Sequence, residues 1–189
     1  MIEGKLEESR AKRGRVVNVR GPADWLAVII ATGFGFGFAP VAPGTFGSLL
    51  GGALFYFLSI QPVLAFQPQL LQNYLLAAAV LIAFAGTWAA TRAERIFDRK
   101  DAGQIVIDEV CGQIITFAFV PVHLRKEVLI VAIAGFLLFR FFDIFKPYPI
   151  RRMEELGGGL GVMADDILAG LYAALVLSFS LPYLSLLTR

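Results

Sequence analysis

Residues 157–175 read GGGLGVMADDILAGLYAAL, with two adjacent aspartates, Asp165 and Asp166, at the mouth of an apolar run that extends to residue 187. A run of that length matches the roughly 20 residues a helix needs to cross a bilayer core. Carboxylates placed there are costly and usually serve a function. What surrounds the pair, and what neutralises it, decides how the whole chain is read.

The surroundings are apolar. Of 189 residues, 57% are hydrophobic and 17% charged, against about a quarter charged in a typical soluble domain. With a mean hydropathy of +0.70, the chain is expected in a membrane, and its length suits one domain. Besides 167–187, the stretches 46–65, 73–90 and 127–143 are each long enough to span. Residues 105–120 are shorter and carry two acids, while 25–38 are short, broken by glycine, and read as interfacial or packed on other helices. The expected fold is all-α: a multihelical integral membrane protein with about five transmembrane helices and a Gly/Pro-rich motif loop.

Charge orients these stretches. The loop 61–72 has no charged residue, whereas 91–104 holds Arg92, Arg95, Arg99 and Lys100, so the second is expected to be cytoplasmic. Crossing again at 105–120 and 127–143 puts Lys146, Arg151 and Arg152 on that same side, although Arg125 and Lys126 then lie outside. Six of the first twenty residues are Lys or Arg, and no apolar core with a small-residue cleavage site follows them. Residues 1–24 are therefore expected to form a basic cytoplasmic arm, and 25–189 the membrane-embedded domain.

A second pair of acids matches the first. In IVIDEVCG, Asp108 and Glu109 are followed by Gly112; in MADDILAG, Asp165 and Asp166 are followed by Gly170. In a helix, Asp108 and Gly112 share a face, as do Asp166 and Gly170, and a glycine there lets a second helix approach closely. The carboxylates can then meet across a helix pair, as in bundle-core metal sites. Acids at a helix start also complement its dipole, but that accounts poorly for two double pairs and a further acid, Asp143. A set of oxygen ligands without histidine or thiolate favours a hard cation, Mg²⁺ above others.

Cations gather near Asp143. In FRFFDIFKPYPIRR, Arg140, Asp143 and Lys146 fall near one helical face, and Pro147 and Pro149 end the helix. Cations beside a carboxylate metal site suit a phosphate ligand. Ordinary cytoplasmic-side charge is the competing account for Arg151 and Arg152. The stretch GFGFGFAPVAPGTFGS, residues 33–48, has Pro40 at the third glycine position of a dinucleotide fingerprint and lacks the βαβ setting. It reads as a rigid loop feeding a helix near Thr45 or Ser48, whose N–H groups could receive an anion; a Thr45 cap with glycines for close packing is the simpler alternative.

Several phosphatase chemistries are excluded. The residue six positions after the lone cysteine, Cys111, is Phe117 and not arginine, and no aspartate is followed two residues later by another. The single histidine, His123, excludes mechanisms that need two imidazoles, and there is no P-loop. Metal-assisted attack by water remains.

Taken together and in order, PVAPGTFGSLLGG, IVIDEVCGQ, FRFFDIFKPYPIR and GLGVMADDILAG resemble the phosphatidylglycerophosphatase A family, from about Gly33 to Gly170. The resemblance implies a bacterial inner-membrane enzyme that removes the terminal phosphate of phosphatidylglycerophosphate to give phosphatidylglycerol, requiring Mg²⁺ and working from the cytoplasmic leaflet. Asp108, Glu109, Asp165 and Asp166, with Asp143 as a further ligand, are then the expected metal set, and Asp108, Glu109 and Asp166 the catalytic groups. Arg140, Lys146 and Arg151, with Thr45 and Ser48, are the expected substrate contacts. Partners are membrane lipid and no nucleic acid; oligomeric state stays open. Two other readings are kept: a phospholipid phosphotransferase, whose usual spaced-aspartate pattern is missing, and a cation transporter, which would spread acids over several depths.

Overall fold

The structure, a computed structural model, describes residues 19–120 and 128–187. Most of the basic arm, and the turn carrying His123, Arg125 and Lys126, lie outside the described residues. No strand occurs among the described residues. Five main helices form one bundle: α2 (Pro43–Ser59), α4 (Pro68–Ile96), α5 (Ile107–Ala118), α6 (Val128–Phe145) and α8 (Gly158–Leu187). Shorter ones precede or join them: α1 (Pro22–Ala31), α3 (Pro62–Phe66) and α7 (Ile150–Met153).

Prolines punctuate the chain. Pro22, Pro43, Pro62 and Pro68 each open a helix, where a fixed φ and a missing N–H cost nothing. Among the described residues three helices are long and apolar enough to cross a membrane: α4, α6 and α8. The expected count of about five is approximate. The 46–65 stretch is divided, because the chain turns at Ile60 and Gln61 before Pro62 restarts it. The 105–120 stretch yields only the 12 residues of α5, about 18 Å of helix.

That short helix is the core. Every residue of α5 except Glu109 is buried, which explains how a segment with two acids sits inside an apolar bundle: its neighbours, not lipid, surround it. Contacts fix the directions. Gly47 packs on Val106, Gly51 on Gln113, and Phe55 stacks on Phe117 at 4.0 Å, so α2 runs parallel to α5. Gln72 reaches Ala118 and Cys111 reaches Ala79, so α4 runs against it. Gly135 on Phe117 and Phe139 on Gly112 make α6 antiparallel, while Gly112 against Gly170 makes α8 parallel. The N-termini of α2, α5 and α8 thus share one end of the bundle with the C-termini of α4 and α6. Every paired acid lies at that end.

Small residues permit this convergence. A Cβ at Gly170 would overlap the Gly112 carbonyl, with the Gly112 Cα at 3.1 Å, and a Cβ at Gly112 would overlap the Asp166 carbonyl. The Thr116 hydroxyl donates to the Gly112 carbonyl at 2.9 Å and lies 3.4 Å from that of Gly170. Close backbone approach at this crossing is what brings the two acidic motifs together.

Candidate active site

Three carboxylates converge where α5 meets α8. Oxygens of Asp108, Glu109 and Asp166 all lie within 4.8 Å of one another. Asp108 and Glu109 come from the first turn of α5, and Asp166 from the third turn of α8. Asp108 and Asp166 are buried and Glu109 is half-buried. Asp108 Oδ1 and Glu109 Oε2 are buried without a hydrogen-bond partner among the described residues.

The other two expected ligands behave differently. Asp143 forms an ion pair with Arg140 at 2.6 Å, and Asp165 one with Lys146 at 2.6 Å. Each has its own cation. Asp108, Glu109 and Asp166 have no ion pair among the described residues. An uncompensated buried charge costs several kcal/mol, so three together rival the whole stability of a domain, about 5–15 kcal/mol. A cation among them removes that repulsion, and an all-oxygen donor set suits a hard divalent ion. The residues fit the metal that the sequence suggested.

The basic groups sit beside this cluster. Arg140 Nη1 also donates to the Ser48 hydroxyl at 3.3 Å, and a Cβ at Gly44 would overlap Glu109 Oε1 and come within 3.3 Å of Arg140 Nη1. Gly44 thereby keeps open the corner where α2, α5 and α6 meet. Lys146 bonds both Asp165 and Glu154. Burial opposes its charge, but these two hydrogen bonds outweigh burial and hold the ammonium well above the ordinary lysine range.

Two backbone features aim these groups. Ala42 at φ 48° turns the chain into Pro43, and Lys146 at φ 42° ends α6 and swings back toward Asp165. Neither is glycine, and left-handed backbone costs a residue with a Cβ about 1–2 kcal/mol.

The Gly/Pro loop corrects one expectation. Pro43 starts α2 two residues earlier than Thr45, and the Thr45 N–H already donates to the Ala42 carbonyl at 2.9 Å. Thr45 is neither cap nor free donor, and Ser48 faces the site through its hydroxyl, which also donates to Gly44 at 3.0 Å. Arg151 is exposed on α7, outside the convergence and without an ion pair among the described residues. Two residues went unnoticed in the sequence. Glu154 shares Lys146, but an exposed acid after a basic run carries no periodic signal. Gln113 is 0% exposed with both amide atoms unpartnered, one turn below Glu109; a glutamine within the apolar run 110–120 was a visible cue.

A helical membrane protein whose buried carboxylate triad adjoins paired cations is a class suited to metal-assisted chemistry on an anionic lipid. The phosphatidylglycerophosphatase A family model matches residues 29–181. The chain belongs to that family and is a membrane phosphatase. It is 38% identical to the phosphatidylglycerophosphatase A of Haemophilus influenzae over 157 residues, 82% of this chain and 88% of the relative. Identity to the Escherichia coli phosphatidylglycerophosphatase A is 34% over 152 residues, 80% of this chain and 81% of the relative. A protein named putative phosphatidylinositol-3-phosphatase, from Bacteroides thetaiotaomicron, is 42% identical over 154 residues, 82% of this chain and 92% of the relative. No solved structure matches the chain.

Proposed function

We propose that this phosphatase hydrolyses the terminal phosphate monoester of phosphatidylglycerophosphate, with Mg²⁺, at the cytoplasmic face of a bacterial inner membrane. The observation that carries the metal reading is the asymmetry among the five acids: Asp143 and Asp165 have cations of their own, and Asp108, Glu109 and Asp166 have none among the described residues. These three would hold the ion. When bound, a divalent ion supplies Lewis-acid polarisation of the phosphoryl group and activation of water.

The chain's own groups do the rest. Glu109, less buried than the two aspartates, takes the proton of the attacking water on a carboxylate oxygen. Returning that proton to the glycerol oxygen as the P–O bond breaks completes the exchange. Arg140 uses Nη1 on Asp143 and Ser48; a guanidinium has further N–H donors, and these remain for the phosphate. Lys146, held charged by Asp165 and Glu154, adds a second cation. The acyl chains stay in the leaflet beside the bundle.

The Bacteroides relative's name supports a second substrate, a phosphatidylinositol phosphate, which is also a monoester on an anionic lipid. Purified protein assayed for phosphate release from both lipids, with Mg²⁺ and with chelator, separates them. Metal-dependent release from phosphatidylglycerophosphate is expected. Release only from phosphatidylinositol 3-phosphate replaces the substrate, and release from neither by folded protein overturns the proposal.

Two further outcomes follow from the arrangement. Cys111 is buried with its S–H directed at the Ala79 carbonyl on α4, so Cys111→Ser should leave turnover essentially unchanged. A folded but inactive Cys111→Ser protein would point to covalent chemistry instead. In that background, single cysteines at Phe66 and Lys100, both exposed, should label from opposite faces of the membrane. Labelling from one face contradicts the proposed orientation.

A further inference from the structure

We infer that α1 and the loop 33–41 form a lipid-facing collar, seated in the headgroup zone of the leaflet at the acidic end of the bundle. The first ground is position. Asp24, at the start of α1, pairs with Arg92 near the end of α4 at 3.1 Å, and the Ala31 carbonyl at its other end accepts from Val106 N–H at 2.8 Å, next to Asp108. The loop continues in the same layer: a Cβ at Gly37 would overlap the Gln104 carbonyl, and Phe38 meets Phe97 edge-on at 6.2 Å. The element is pinned at both ends to the acidic end of the bundle.

The second ground is composition. Ala27, Val28 and Ala31 turn inward, yet the outward face is no more polar: Trp25, Leu26 and Ile29 are 55%, 51% and 44% exposed. A helix apolar all round belongs in a core or in lipid. Ten residues make about 15 Å, half the hydrocarbon thickness, so α1 cannot cross. A short apolar helix fixed at one end of a membrane bundle fits the interface.

The third ground is independent of α1. Phe34 holds φ 59° between Gly33 and Gly35, both also left-handed, and is 80% exposed. A bulky side chain at positive φ is uncommon, and here the strained turn projects an aromatic ring away from the protein. Val41, after the loop, is 73% exposed. Exposed Arg20, Arg95 and Arg99 border this layer with exposed Asp98 and Asp101 among them, the mixed charge of a headgroup zone. The occupant of this surface is therefore the lipid headgroup–acyl boundary, with apolar side chains entering about 5–10 Å.

Depth-dependent quenching tests this without reference to catalysis. A Trp88→Phe protein, with Trp25 as its one tryptophan, is reconstituted in vesicles of zwitterionic and anionic lipid brominated at defined positions along the acyl chain. Trp25 should lose most fluorescence to bromine nearest the headgroups. Phe34→Trp in a protein that also carries Trp25→Phe and Trp88→Phe should show the same shallow depth. If neither tryptophan is quenched by any brominated lipid, the collar faces water and the inference is overturned. Strongest quenching by the deepest bromines overturns it equally, since α1 would then belong to a crossing.

Discussion

Asp166→Asn is expected to lower phosphate release at least about 10²-fold, as removal of a single electrostatic stabiliser of a developing charge does. It should also raise the melting temperature of metal-free protein. The two signs follow from one geometry. Asp166 shares its 4.8 Å neighbourhood with Asp108 and Glu109, with no ion pair among the described residues to offset it. Asparagine keeps the shape and removes one of three repelling charges, so the metal-free bundle relaxes. The stabilisation gained on adding Mg²⁺ should shrink correspondingly, because a ligand stabilises only through its affinity for the folded state. A merely structural Asp166 predicts something else: activity and stability falling together, with the Mg²⁺ response intact. Near-normal turnover by folded Asp166→Asn protein would remove it from the catalytic set.

Gly170→Leu should be severely damaging although it removes no charge. Its Cβ would enter the Gly112 carbonyl, and the obstacle is backbone, which cannot rotate aside. Overpacking of this kind costs about 1–3 kcal/mol or more. The consequence for chemistry exceeds the consequence for folding, because α5 and α8 carry opposite halves of the triad. Separating them moves Asp166 away from Asp108 and Glu109. The expected result is protein that still inserts and melts at a lower temperature, with turnover abolished. Gly52→Ala is the control: nothing lies within 4 Å of a Cβ there, and alanine favours helix, so stability should hold or rise with activity unchanged. Equal loss in both proteins would show that the Gly112–Gly170 crossing has no special part in assembling the site.

These two glycines show how much of the site a linear reading carries. Gly112 and Gly170 each stand four residues after an aspartate, and helical periodicity alone puts aspartate and glycine on one face. That the two faces meet followed from matching motifs. Spacing from an aspartate sets Gly170 apart from Gly52, but only the structure shows that a neighbouring backbone passes over the first and nothing over the second. The same holds for the acids. Five were visible as candidates, and the Arg140–Asp143 pair is local, but the partner of Asp165 is chosen in space: Lys146 reaches it from nineteen positions along the chain.

What the sequence by itself determined is local or compositional. The apolar content requires helices that satisfy their own backbone groups in lipid. Pro147 and Pro149 mark where α6 stops, and the ordered acidic and basic motifs mark the family. Tertiary structure alone decided three things. It made α5 the buried axis of the bundle, because a 12-residue helix too short to span can keep its acids only inside a sheath of longer ones. It opened α2 at Pro43, so that Thr45 spends its N–H on Ala42. And it gave Asp165 a cation while leaving Asp108, Glu109 and Asp166 without an ion pair among the described residues, because opposite charges pair by distance in space; the Arg140–Asp143 pair, three residues apart on one helix, was already legible in the chain.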